Sequence, residues 1–136
     1  MREEDKAYIA GIIDGEGSIM LERIHKNQHP SPVVSVTSTT PELLKYLKTT
    51  LGSGTITRKT NYNKEKHKDC YTFVICYDSA IKLLKDIYPY LIIETKKLRA
   101  KMIIDEYKAL TPRNGRYSDE LLERKYEFYE RFRKIK

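Results

Sequence analysis

Asp14 and Glu16 close an apolar, glycine-interrupted stretch, Ile9-Ala10-Gly11-Ile12-Ile13-Asp14-Gly15-Glu16-Gly17. A helix that ends there leaves unpaired carbonyls and the negative pole of its dipole, and both attract cations. A carboxylate placed just past that end strengthens the attraction, so Glu16 marks a candidate cation site. The competing reading of Glu16 is an ordinary exposed surface acid. Other metal chemistry is thin. His25, His29 and His67 lack a metal-ligand spacing, and Cys70 and Cys76 form no CxxC pair. Neither a four-ligand zinc site nor a disulfide framework is available. The remaining chemistry-bearing groups are cationic. Lys+Arg is 26 against Asp+Glu 19, a net charge of +7, which favours polyanions such as nucleic acid or a membrane surface. Lysine-rich proteins from hot environments are basic without any such partner, and that is the bland alternative.

A chain of 136 residues makes a single domain over 1–136 and can bury a core without staples. Hydrophobic residues at 40% and charged residues at 33% exclude collagenous, low-complexity and disordered classes. No apolar run approaches the roughly 18–20 residues of a bilayer span, so no membrane partner is expected. The N-terminal Met1–Lys6 is charged and no apolar signal region follows it. With two unpaired cysteines, the expected setting is intracellular, and cytoplasmic in a prokaryote or archaeon.

The periodicity supplies the elements. Asp5–Gly15 reads as a helix with Tyr8, Ile9, Ile12 and Ile13 on a core face and Ala7, Gly11 and Gly15 on another. Two glycines inside a helix cost about 1 kcal/mol each against alanine, so something must compensate. After Gly17 the period switches to two, giving a strand to about Ile24, a loop over 25–32, and a second strand at Val33–Ser38. Thr40 caps a helix that Gly52 stops. The pattern repeats: a strand at Gly54–Thr60, a polar loop over 61–69, a strand at Cys70–Tyr77, and a helix capped by Asp78 or Ser79. Helices at Thr95–Leu110 and Ser118–Ile135 follow. The order is α-ββα-ββα-αα, an α+β fold with one four-stranded antiparallel sheet covered by helices on one face.

Parity assigns the sheet faces. Ile19, Leu21, Val34, Val36, Ile56, Phe73 and Ile75 make the covered face. Met20, Glu22, Ile24 and Lys26, then Val33, Ser35 and Thr37, then Thr55, Thr57 and Lys59, then Thr72 and Val74 make the other. A solvated face is ordinary for an antiparallel sheet.

The stretch Ile9–Gly17 resembles the LAGLIDADG motif of homing endonucleases and the related intron maturases. Ile9 and Ile12 stand for the motif's leucines, and Gly15-Glu16 for its Ala-Asp. The α-ββα-ββα layout agrees over about residues 5–110. The resemblance implies a saddle-shaped sheet and two motif helices packed across a two-fold axis. A single motif in a short chain implies a homodimer, with Ala7, Gly11, Asp14 and Gly15 at its interface. Small-residue stripes allow such close packing. It implies a double-stranded DNA endonuclease, intron-encoded, that cuts a long, nearly palindromic site to leave 3′ overhangs. Glu16 is implied as the metal-binding acid, with the Gly15 carbonyl beside it, for Mg²⁺ or Mn²⁺; Asp14 is implied to be structural. Ser38 matches the family's polar pocket residue. The family's pocket lysine falls on Glu94, and Lys96 or Lys97 is the substitute. The solvated sheet face is implied to lie in the DNA major groove, which admits a β-ribbon. The basic loop residues Lys64, Lys66 and Lys68 extend that contact. The alternative is a non-cutting RNA maturase or DNA-binding regulator, with RNA as partner only in the maturase case.

Overall fold

Helix α1 (Glu3–Glu16) begins with three acids in its first turn, at the positive end of the dipole, and carries a capping box between Arg2 and Asp5. Its Ile9, Ala10, Ile12 and Ile13 are buried. The chain then turns directly into β1 (Gly17–Glu22). Gly17 permits that junction: a Cβ there would stand 2.8 Å from the Ile13 Cα. The computed structural model describes residues 1–59 and 69–136, and for Lys59 the backbone alone. In it, β2 (Ser31–Ser38) and α2 (Pro41–Leu51) complete the first half. The second half is β3 (Thr55–Lys59), β4 (Cys70–Cys76) and α3 (Tyr77–Ile87). Then follow α4 (Glu94–Met102), which runs on through a π-helical turn at Ile103–Tyr107, and α5 (Asp119–Arg133).

The four strands pair antiparallel in the order β1-β2-β4-β3. Ile19, Leu21, Val34, Val36, Phe73 and Ile75 are buried against α1, α2, α3 and α4, with Ile56 half-buried at the same core. Phe128 and Phe132 of α5 close that core from the C-terminal side. The outer edge of β1 is covered as well. Arg99 of α4 donates from Nη1 to the Ile19 carbonyl at 3.0 Å and from Nη2 to the Ile135 carbonyl at 2.6 Å. One guanidinium thereby satisfies an edge-strand acceptor and fastens the end of the chain.

Several expectations shift. Glu16 is the last residue of α1 instead of lying past it, and Gly17 is the C-cap. β1 ends at Glu22, so Ile24 and Lys26 lie in the exposed loop that follows. Tyr8 is 57% exposed, because the core face of α1 is Ile9, Ala10, Ile12 and Ile13. Neither Asp78 nor Ser79 caps α3; the helix begins at Tyr77, and Cys76 occupies the N-cap without a side-chain bond. Thr40 is an N-cap by position only, since its side chain makes no cap bond, while Ser118 does cap α5 through the Leu121 amide. Lys64, Lys66 and Lys68 lie outside the described residues.

Gly54 has φ of +102°, and a Cβ there would penetrate the Phe73 ring. Backbone conformation and packing therefore both demand glycine. Gly54→Ala is expected to destabilise by about 1–3 kcal/mol through overpacking alone, read as a lower urea midpoint at unchanged slope.

Candidate functional site

The C-terminal end of α1 is locked to the start of α4 by a reciprocal exchange. Asp14 accepts hydrogen bonds from the Ile92 amide at 2.9 Å and the Ile93 amide at 3.2 Å. Ile93 is the N-cap of α4 and has no side-chain cap of its own, so Asp14 satisfies donors just ahead of that helix from a distant segment. In return, Lys96 of α4 donates from Nζ to the Ile13 carbonyl at 2.7 Å and the Asp14 carbonyl at 2.5 Å. The last turn of α1 contains no basic residue, and Lys96 supplies the cation its dipole lacks. Of the lysine candidates, Lys96 is the one brought to this end. Lys97 is described there only by its amide, bonded to the Ile93 carbonyl. Asp14→Ala removes both charge-assisted bonds from a half-exposed site. It is expected to cost about 1–2 kcal/mol, measured by urea unfolding, with Asp14→Asn intermediate.

Four carbonyls at the end of any α-helix lack intrahelical partners. In α1 the Gly17 amide and Lys96 take Ile13, and Lys96 takes Asp14. Gly15 and Glu16 follow at the same end of α1, both exposed. Carbonyl and carboxylate oxygens are the donor set of hard divalent cations such as Mg²⁺, so the residues fit the class of ion. Among the described residues no three His, Cys, Asp or Glu side chains converge. Ser38 closes β2 at the same end of the sheet, two positions beyond the Gly17–Val36 pair. Its Oγ accepts from the Thr40 amide at 3.0 Å, which leaves the hydroxyl hydrogen free to donate elsewhere.

The open face of the sheet is laid out in rows by the register. Thr57, Thr72 and Thr37 form one row, with Thr37 Oγ1 and Thr72 Oγ1 3.1 Å apart. Thr55, Val74, Ser35 and Ser18 form the next. Ser18 is exposed and alternates with Ile19, so the same parity that selected Met20 and Glu22 also reaches it; the sequence reading stopped one residue short. The third row joins Met20, Val33 and Cys76. Here Val33 departs from expectation. It is 2% exposed, between half-buried Met20 and Cys76, so its side chain does not present an open surface.

The small-residue stripe of α1 faces outward. Ala7, Gly11 and Gly15 are exposed, and a Cβ on Gly11 or Gly15 would meet nothing within 4 Å. These glycines therefore accommodate no neighbour within the described chain. Tyr8 extends the stripe, since it lies three residues before Gly11 on the same helical face. Ile92, 81% exposed, and Ile93 sit where Asp14 holds their amides, adding apolar surface at the α1 C-terminal end. The sequence reading missed both, because their neighbourhood is set by a contact between distant segments. Asp14, grouped there with the stripe, aims its carboxylate at its own chain.

Comparison with known proteins agrees with this geometry. A family model described as a LAGLIDADG-like domain matches residues 3–100. No curated protein sequence matches significantly. Among solved structures, the homing endonuclease I-CvuI in complex with its target in the presence of Ca superposes with a TM-score of 0.77 at 20% identity. That match covers 98% of this chain and 83% of that one. The archaeal intron-encoded homing endonuclease I-Vdi141I, complexed with DNA, superposes with a TM-score of 0.67 at 19% identity, covering 98% and 85%. The LAGLIDADG meganuclease I-AabMI, bound to uncleaved DNA, matches with a TM-score of 0.67 at 16% identity over 91% of this chain but 43% of its own. With the motif closing α1, the α+β sheet in place and the family model spanning most of the chain, this protein belongs to the LAGLIDADG family and has the fold of its homing endonucleases.

Proposed function

We propose that the chain is a homodimeric, site-specific DNA endonuclease, intron-encoded, that hydrolyses both strands of a long, nearly palindromic target with a divalent metal ion and leaves 3′ overhangs. The observation that carries this reading is the outward stripe Ala7, Gly11 and Gly15 leading to an exposed Glu16 at the open end of α1. A two-fold axis along that stripe brings two copies of Glu16 together, and cations between two close carboxylates relieve their repulsion. I-AabMI, of which this chain spans under half, is in keeping with two such units in one functional molecule.

In this reading Glu16 and the Gly15 carbonyl hold Mg²⁺ or Mn²⁺. Bound there, the ion supplies an activated water and neutralises charge on the phosphate. Lys96 keeps a positive charge at the helix end, where it stabilises the departing oxyanion, and Ser38 orders the reacting groups through its remaining hydrogen. Asp14 holds α4 so that Lys96 is in place. Thr37, Thr55, Thr57, Thr72, Ser18, Ser35 and Met20 meet base edges, and Val74 meets a thymine methyl. Glu22, Ile24 and Lys26 lie beyond the rows and would meet neighbouring bases and phosphates, as would Lys59 from the end of β3.

The reading is tested by incubating the protein with duplex DNA spanning the uninterrupted host insertion site, with and without Mg²⁺ or Mn²⁺. Cleavage confined to that site and to metal-containing lanes is the expected result. Binding without cleavage in either metal would replace it with a non-cutting maturase or regulator. One observation favours that second reading: Lys96 already donates to two helix carbonyls, and Glu94 stands where the family resemblance implies a lysine. Binding is expected to weaken steeply with salt. The charge of +7 doubles in the dimer, and each phosphate contact contributes about −0.9 to the log–log slope. Salt-independent binding would contradict a groove-lying sheet.

A further inference from the structure

At the opposite end of β1 from Glu16, the structure buries a lysine with no carboxylate partner among the described residues, and burial holds its amine below the ordinary lysine pKa. Lys125 of α5 is 5% exposed. Its Nζ donates to Thr111 Oγ1 at 2.9 Å and to Tyr117 Oη at 2.5 Å, and lies 5.1 Å from the Tyr107 ring centre and 4.9 Å from that of Tyr117. All these partners are neutral. Among the described residues, no carboxylate comes within ion-pair distance of Lys125. An ammonium has three donors, and these two hydroxyl bonds leave one over. A buried charge without a partner is costly, and removing water from it without compensation is the kind of arrangement found at functional sites.

Two clefts meet at this ammonium. One, of about 330 Å³, is walled by Tyr126, Tyr129 and Pro30, with Arg23 at its edge. The other, of about 350 Å³, is lined by polar groups that include Asn27 and Gln28. Both volumes fall in the range of small-molecule sites, roughly 300–1,000 Å³. His29 belongs to both clefts and packs on Tyr117 at 4.8 Å and Tyr126 at 6.2 Å between ring centres. Tyr126 is 54% exposed, which leaves part of its ring uncovered. The one acid of the aromatic cleft, Glu130, is paired with Arg133 at 2.9 Å. The local field is positive: burial first, then the charges of Lys125 and Arg23, hold the His29 imidazole below its ordinary pKa.

We propose that these clefts form a nucleotide-binding site, with the phosphate on the Lys125 ammonium and the base against Tyr126 and His29. A phosphate supplies the missing negative charge and accepts the remaining N–H. An aromatic ring on the same ligand uses the wall that a simple anion would leave empty, through the stacking that every base permits. The nucleotide is either free in solution or part of a bound nucleic acid; the chemistry of recognition is the same. The site is independent of the cutting reaction, because it uses neither Glu16 nor Lys96.

The test is calorimetric titration of the intact protein with AMP, adenosine and inorganic phosphate at constant ionic strength. AMP is expected to bind at least tenfold tighter than either fragment. Lys125→Met should weaken AMP at least tenfold while leaving adenosine unchanged. Tyr126→Ala, at an exposed ring, should weaken AMP and adenosine and spare phosphate. Circular dichroism checks folding, and if Lys125→Met unfolds, the Tyr126→Ala pattern decides. Displacement of AMP by saturating duplex DNA assigns the nucleotide to the nucleic acid; coexistence assigns it to a free ligand. Absence of saturable AMP binding at millimolar concentration, or binding untouched by the folded variants, overturns the proposal.

Discussion

Glu16→Gln is expected to give a folded dimer that binds its DNA target and no longer cuts it. The side chain keeps its shape and loses only the charge proposed to hold the cation. Glu16 is exposed at the last position of α1, outside the buried face of Ile9, Ala10, Ile12 and Ile13, so the fold has little reason to notice. In the proposed function base and phosphate contacts come from the sheet and loops, so affinity in a gel shift should stay near that of the wild type. A metal ion contributes several kcal/mol to the stabilisation of the reacting phosphate, so strand nicking should fall by roughly a hundredfold or more. Asp14→Asn, by contrast, should act on stability through the Ile92 and Ile93 amides. If Glu16→Gln cuts at near wild-type rate while Asp14→Asn folds normally and is dead, the acids have been assigned the wrong way round.

Gly11→Leu is expected to leave each chain folded and to dissociate the dimer. Within the chain a Cβ at Gly11 meets open space, so the leucine costs the protomer little beyond ordinary surface exposure. Across a two-fold axis two leucines would meet, with overpacking of about 1–3 kcal/mol at each. Native mass spectrometry at micromolar concentration should show wild-type dimer and Gly11→Leu monomer, and cleavage of both strands should disappear with the dimer. A wild-type monomer under those conditions would sink the two-fold reading. Unfolding of the variant would show that α1 has a partner within its own chain.

The switch from helical to alternating periodicity at Gly17 made the α1–β1 junction legible, and strand parity sorted both sheet faces with few exceptions. Local pattern was enough there because each face is defined by neighbours along the chain. Tyr8 failed because an aromatic beside Ile9 belongs equally well to the buried or the exposed side of a helix, and packing alone decides. Val33 failed at the rim of the sheet, where Met20 and Cys76 flank it. The choice between Lys96 and Lys97 needed the true start of α4 at Glu94, which phases Lys96 toward α1. Lys125 is the extreme case. A lysine among Glu123, Arg124 and Glu127 reads as surface, and only the aromatic rings folded over it from other segments bury it.

The hydroxyl rows of the sheet have a consequence for how faithfully a target must be kept. Side chains on one face of a strand recur every two residues, about 6.8 Å, which matches two base-pair steps of about 3.4 Å each. On the proposed reading, adjacent rows address alternate base pairs. A Ser or Thr hydroxyl donates or accepts equally well and bonds to more than one base, whereas an arginine fork fixes guanine. On that reading, the target can drift by substitution opposite Thr37, Thr72 and Thr57 and still be bound. If the chain is the proposed endonuclease, its genetic element would tolerate drift at those positions of its insertion site and could cross to related hosts whose sites differ there.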